Sequence, residues 1–319
     1  MAAINILAAD SVSLSGSKIL PKNKFRITSH TDLSNEEILS KFPDHDVLLI
    51  RSTRKIDKSF IDRCGFKMIA TFTKGTDHID MKAAAKRNVK VINAEEGNHV
   101  SAAEHTLAMI LSIYKNIVLS DSIVRKNNFR ETDFQRRELL GKTIGIIGFG
   151  KVGSYVGKLC RVFGINVVAN DTDKNVQRKY KTFEFLPLNI LIKESDIITL
   201  HIPFNKENEK FFSEKHFMKM KNNSVFINTS RGAVVDEDAL IDALEKNLIY
   251  YAGLDVFMSE PLIDKRFFSM KNALLTNHIA GKTIESRERI SEIIFGKIQK
   301  YFSEKVSLKS SVVKDVGEL

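Results

Sequence analysis

Tryptophan is absent from this chain, proline occurs five times and cysteine twice, at Cys64 and Cys160. Two cysteines so far apart build neither a disulfide framework nor a zinc site, so they read as small buried hydrophobes in a reducing compartment. Scarce proline and scattered glycine exclude a fibrous or low-complexity class. No stretch approaches the ~20 apolar residues of a membrane span. The start, Met1-Ala2-Ala3-Ile4-Asn5-Ile6-Leu7, has neither the charged lead nor the apolar core of a secretory signal. A cytoplasmic, soluble protein with no metal site is expected. The net charge is +10, yet lysine and arginine are dispersed with no aromatic interleaving. Such a surface draws anionic metabolites rather than nucleic acid.

What is present is a repeating alternation. The chain has 319 residues, 43% of them hydrophobic, enough for two ordinary domains. Short apolar runs predict strands over 4–9, 47–50, 68–72 and 90–92, with helices over 35–41, 58–64 and 81–87 between them. One long helix is predicted over 100–118, with Ser101 as its cap and Glu104 completing a capping box. A polar stretch over 121–137 reads as a surface excursion between domains. A second series predicts strands over 143–147, 166–169, 196–200, 224–228, 251–254 and 273–276. Its helices fall over 152–163, 188–193, 214–220 and 237–246, and a final helix over 284–302 returns to the first domain. Strand and helix in alternation mean parallel sheets covered on both faces, an α/β class with two doubly wound domains.

The second series opens on Gly148-Phe149-Gly150-Lys151-Val152-Gly153, directly after an apolar strand. Gly148 permits the turn, Gly150 lets the backbone approach a pyrophosphate, and Gly153 lets the helix pack on the strand. The N–H groups near Lys151 and Val152 face the anion. The next strand ends at Asp171, whose carboxylate suits ribose hydroxyls and repels a 2′-phosphate, favouring NAD over NADP. Asp173 stands close enough to compete.

Three residues suit hydride chemistry. Arg231, after the strand over 224–228, offers a fork that grips a planar carboxylate. His278, one of eight histidines, follows the strand over 273–276 and can carry the proton of a C2 hydroxyl. Glu260 can accept from the other ring nitrogen, fixing the tautomer and favouring the imidazolium. Taken alone, Arg231 reads as a surface residue and Glu260 as a solvated one.

Together with His201-Ile202-Pro203, Asn228–Gly232, Leu254–Pro261 and His278–Gly281, these motifs resemble the D-2-hydroxyacid dehydrogenases over nearly the whole chain. The resemblance implies Arg231, Glu260 and His278 as catalytic residues and Asp171 as the ribose acid. It adds His201, Pro203, Thr229, Asp255 and Gly281 to the NAD site. It also implies a homodimer, and a flavodoxin-like catalytic domain built from 1–97 and 283–319 around a Rossmann domain over 98–282. The first domain is similar to 3-phosphoglycerate and erythronate-4-phosphate dehydrogenases. Arg51-Ser52-Thr53-Arg54-Lys55-Ile56 resembles their substrate segment, and Lys74-Gly75-Thr76-Asp77-His78-Ile79-Asp80 the erythronate-phosphate loop. Arg51, Ser52, Lys74 and Gly75 are thus expected at the substrate, and a cluster of Arg51, Arg54 and Lys74 points to a phosphate on it.

There are departures. Asn277 stands where the family usually has proline, and Thr71 and Thr73 where phosphoglycerate enzymes often carry arginine and glycine. Neither a serine-sensing domain nor the extra dimerisation domain of erythronate-phosphate enzymes is expected, and so no serine control. The first substrate choice is 3-phosphoglycerate. The alternatives are erythronate 4-phosphate or a glyoxylate, hydroxypyruvate or D-lactate-type reductase, and outside catalysis a NAD-sensing protein similar to corepressors that share this fold.

Overall fold

Contacts divide the chain into two compact units, one made of Met1–Asn98 and Lys282–Leu319, the other of His99–Gly281. The computed structural model describes residues 3–73, 75–94, 96–129, 135–261 and 263–314, with side chains only as far as residue 304.

The first unit is a five-stranded sheet: β1 (Ile4–Ala8), β2 (Phe25–Ser29), β3 (Val47–Ile50), β4 (Met68–Thr71) and β5 (Lys90–Ile92). Their order is β2-β1-β3-β4-β5 and every pairing is parallel. That is the flavodoxin-like order, which switches direction between β1 and β3. Helices α1 (Asn35–Lys41), α2 (Lys58–Arg63) and α3 (Met81–Lys86) start at Ser34, Asp57 and Asp80. Each of those side chains accepts a backbone N–H that the first turn would leave unmatched. One face of the sheet buries Ile6, Val47, Leu49 and Met68 against Ile290, Ile294, Phe295 and Ile298 of the chain's last helix.

The second unit is a seven-stranded parallel sheet: β6 (Thr143–Ile147), β7 (Asn166–Asn170), β8 (Glu184–Phe185), β9 (Ile197–Leu200), β10 (Val225–Asn228), β11 (Tyr251–Leu254) and β12 (Ala273–Leu275). The order β12-β11-β10-β9-β6-β7-β8 is a Rossmann arrangement with its switch point between β6 and β9. β9 and β10 are buried at every position, as strands covered on both faces must be. Its helices are α4 (His99–Lys115), α5 (Ile117–Arg125), α6 (Lys151–Val162), α7 (Lys174–Lys179), α8 (Leu188–Glu194), α9 (Glu214–Phe217) and α10 (Glu237–Glu245). The last helix, α11 (Ile284–Lys314), belongs to the first unit.

The structure corrects the sequence at four places. The helix expected over 100–118 is two helices bent by 59°, because Asn116 adopts a left-handed φ of 53°. Ser101 does not cap it: the helix begins at His99, and Ser101 is buried within it. β2 lacked an apolar run because it is an edge strand with only Phe25 buried. α7 and β8 bury no residue at all, so no periodicity marks them.

Candidate active site

The glycine loop is fixed from both sides. Gly148 has φ 87°, and a Cβ there would stand 2.8 Å from the His201 carbonyl. A Cβ on Gly153 would lie 2.1 Å from the Gly148 carbonyl oxygen, so only glycine lets α6 begin this close to β6. In front of Gly150, by contrast, a Cβ would meet nothing within 4 Å. That open face, at the N-cap of the 12-residue α6 that Lys151 and Val152 start, fits a pyrophosphate. Between the glycines, Phe149 is fully buried and packs edge-on against Tyr180, Phe183 and Phe185. Removing its ring would cost ~3 kcal/mol or more and free the loop.

Asp171 closes the same loop. Its Oδ2 accepts the Phe149 N–H at 2.7 Å and its Oδ1 the Asp173 N–H at 2.9 Å. Each oxygen keeps a further acceptor position for a ribose hydroxyl. Asp173 caps α7 by accepting the Asn175 N–H at 2.8 Å, which commits it to the helix. His201 follows β9, its Nε2 3.0 Å from Thr199 Oγ1, and the Pro203 carbonyl accepts from Asn208. The glycines, Asp171 and the helix start together fit a dinucleotide.

The three catalytic candidates follow three adjacent strands, β10, β11 and β12, where a doubly wound sheet presents its ligand. Asn228 ends β10 and is almost fully buried. Its Oδ1 accepts from the N–H and the hydroxyl of Ser230, and its amide donates to the Arg231 carbonyl at 2.9 Å. That side chain folds the turn presenting Arg231, whose guanidinium donates to the Ser230 carbonyl. Next to it, a Cβ on Gly232 would fall 1.9 Å from the Phe257 carbonyl, so the Arg231 turn lies directly on the loop after β11.

That loop holds Glu260. Its Oε1 accepts the Phe257 N–H at 3.0 Å and its Oε2 lies 2.7 Å from His278 Nδ1. Glu237 holds the neighbouring Met258 N–H at 3.1 Å, and burial keeps the Glu237 carboxyl above its ordinary range. With Nδ1 engaged by Glu260, Nε2 is the ring nitrogen His278 has for a substrate. The imidazole is 46% exposed and Glu260 34%, so a small acid can reach them. His278 has φ 54°, a left-handed conformation that costs a residue with a side chain of order 1–3 kcal/mol.

Asp255 supports that conformation. It is fully buried; its Oδ1 accepts from Thr276 Oγ1 at 2.5 Å and from the Ile279 N–H at 2.9 Å. Its Oδ2 accepts the Ala280 N–H at 2.8 Å, so one of about four acceptor positions is left for a cofactor. Helix α4 braces the same loops. Ser101 donates to the Ala280 carbonyl, beside Gly281, and Thr106 Oγ1 meets Thr229 Oγ1 at 2.9 Å. These contacts were not read from the sequence. The available signal was Ser101, His105 and Thr106 standing on one apolar helix.

The first unit treats its expected cations differently. Arg54 donates to Asp10 Oδ1, Asn35 Oδ1 and the carbonyls of Ala9 and Leu33, with both charged side chains 11% exposed. It is therefore withdrawn from the phosphate-binding cluster: a guanidinium matched by a mostly buried carboxylate and three other acceptors has no fork left for a ligand. Arg51 is exposed, and its backbone N–H donates to Asp10 Oδ2. Ser52 is exposed in the same turn. Lys74 lies outside the described residues. The Gly75 carbonyl accepts from Thr73 Oγ1, which also meets Thr71 Oγ1, and Thr71 in turn meets His78 Nε2 at 3.0 Å. Thr71 and Thr73 thus knit this loop internally.

Comparison with known proteins identifies the family. Residues 107–280 match the model of the D-isomer specific 2-hydroxyacid dehydrogenase, NAD binding domain. The chain is 33% identical over 301 residues to a D-3-phosphoglycerate dehydrogenase of Synechocystis, covering 91% of this chain and 54% of that protein. It is 35% identical over 266 residues to a glyoxylate reductase of Thermococcus litoralis, covering 81% and 80%. It spans about half the length of the phosphoglycerate dehydrogenases it matches. Among solved structures, D-lactate dehydrogenase of Aquifex aeolicus, in complex with NAD and lactic acid, superposes with a TM-score of 0.78 at 27% identity, covering 95% of this chain and 96% of that one.

Proposed function

The chain belongs to the D-isomer specific 2-hydroxyacid dehydrogenase family, and on that premise we propose that it interconverts a D-2-hydroxy acid and its 2-oxo acid with NAD. The carrying observation is the 2.7 Å contact between His278 Nδ1 and Glu260 Oε2. A neutral imidazole donating from Nδ1 to a carboxylate keeps a lone pair on Nε2, which is what a general base needs. Bound NAD supplies the acceptor for the hydride leaving C2. Arg231 holds the substrate carboxylate in a two-point grip. As the C2–H bond breaks, His278 Nε2 takes the hydroxyl proton, the C2–O bond becomes a carbonyl, and Glu260 stabilises the imidazolium. In reduction His278 returns that proton. Asp171 at the ribose favours NAD over NADP.

In this reading Arg51, Ser52, Lys74 and Gly75 are the substrate's distal contacts. The first substrate is 3-phosphoglycerate, supported by the resemblance of the Arg51–Ile56 segment. A second reading, a glyoxylate or hydroxypyruvate reductase, is favoured by the engagement of Arg54 with Asp10, which leaves less charge for a phosphate. A homodimer goes with either, with the exposed Ile117, Val118 and Val124 of α5 as surface to cover. A cytoplasmic setting is part of the same proposal. Cys64 and Cys160 are buried free thiols, and no single described helix is long and apolar enough to cross a membrane.

The test is a panel of 2-hydroxy and 2-oxo acids, with and without phosphate, followed by NADH absorbance. Turnover of D-2-hydroxy acids with NAD is expected, with the best kcat/KM on the phosphorylated member. Preference for glyoxylate or hydroxypyruvate would select the second reading. No turnover of any member, with NAD still bound, would overturn both and favour a NAD-sensing protein.

A further inference from the structure

A third polar side chain of α4 has no part in the chemistry described so far. His105 is only 18% exposed, its Nε2 3.1 Å from Thr276 Oγ1 and 3.6 Å from Asp255 Oδ1. Thr276 has one hydroxyl proton. Asp255 already receives two backbone N–H groups, the pattern of a carboxylate, which can only accept. At 2.5 Å from Asp255 Oδ1, the Thr276 hydroxyl therefore spends its proton there. Its oxygen can then meet His105 only as an acceptor. His105 must carry a hydrogen on Nε2, and the bonds run in one direction, from His105 to Thr276 to Asp255.

That chain ends where the His278 loop is held. Asp255 grips the N–H groups of Ile279 and Ala280, the two residues following His278. His278 itself sits in the left-handed region at φ 54°, which a residue with a side chain occupies only when its surroundings impose it. The ring must also keep Nδ1 on Glu260 to leave Nε2 for the substrate. Burial holds the His105 ring below the ordinary histidine range, so near neutral pH it is a fixed neutral donor.

We propose that His105 is a positioning residue for His278: through Thr276 it orients the Asp255 carboxylate that fixes the backbone carrying the proton-transferring imidazole. The proposal rests on the reading of His278 as the proton carrier. His105 touches neither substrate nor cofactor in this scheme, and Asp255 stands between it and both, so its loss should lower turnover more than NAD affinity.

The test compares His105→Leu, which removes the donor, with His105→Gln, which restores an N–H. In His105→Leu, kcat should fall about ten-fold, less than the ~100-fold that an ångström of misplacement costs, while KM for NAD changes by less than kcat does. The low-field proton resonance of His278 Nδ1, identified by its loss in His278→Ala, should broaden. His105→Gln should recover most of both. Unchanged kcat and resonance in His105→Leu would overturn the proposal, as would equal damage in the Leu and Gln variants. The resonance needs no turnover, so it decides the point even if no 2-hydroxy acid proves to be a substrate. Should His105→Leu fail to fold, Thr276→Val against Thr276→Ser asks the same question from the other end of the bond. Equal behaviour of those two would sink it.

Discussion

The two units use carboxylates at the ends of their strands in opposite ways. In the second, Asp255 and Glu260 accept backbone N–H groups and thereby aim another residue, His278, outward. In the first, Asp10 accepts the Arg51 N–H but turns its charge on Arg54 and takes that cation out of use. The same residue type at the same kind of sheet edge builds a site in one place and closes one in the other. A lone charged side chain in a sequence therefore says little until its nearest opposite charge is known.

Breaking the comparison on the catalytic side should give the largest effect. Arg231→Ala should lower kcat/KM about 10³-fold, roughly 4 kcal/mol, with KM for the acid raised as well. A loss confined to stability, measured by thermal melting, would make Arg231 a structural residue like Arg54.

On the other side, Asp10→Ala should leave the Arg54 guanidinium without its carboxylate in a mostly hidden place. A destabilisation of about 3 kcal/mol is expected in urea unfolding, since stripping one partner from a buried pair is what costs most. If stability holds and affinity for phosphorylated substrates rises instead, Arg54 is a latent ligand group and the contrast softens.

Arg51→Ala sharpens it further. Arg51 is exposed, so stability should be unaffected, while KM for the phosphorylated acid rises about ten-fold with kcat little changed. An unchanged KM in steady-state assays would remove Arg51 from the substrate.

The smallest effect is one the units share. Burial depresses His78 in the first unit and His105 and His216 in the second. Each is neutral when folded but takes a proton when unfolded once the pH drops below about 6.5. Unfolding then binds more protons, so stability is full above that pH and declines below it. Melting temperature should be flat from about pH 7 to 8 and fall toward pH 5. A rise on acidification would contradict the buried, neutral state of these rings.

Much of this was legible in the sequence because it follows from period and punctuation. β3, β9 and β10 are buried throughout, and their apolar runs announce them. The glycine loop was legible because sterics leave no other residue at Gly153. β2 was not, because an edge strand needs only one buried side chain. The break at Asn116 was hidden because apolar positions continue across it on either side. The Asp10–Arg54 pair joins β1 to the loop after β3, and His105–Thr276–Asp255 joins a helix to two loops. No local pattern encodes contacts between such distant stretches of chain.

The central claim is that His278, aimed by Glu260, moves the proton. Single-turnover formation of NADH by His278→Ala, with NAD binding titrated separately, tests it most directly. The account predicts a rate at least ~10³-fold below wild type with NAD affinity intact, within the range that general acid–base groups contribute. A His278→Ala enzyme that forms NADH at the wild-type rate would contradict it.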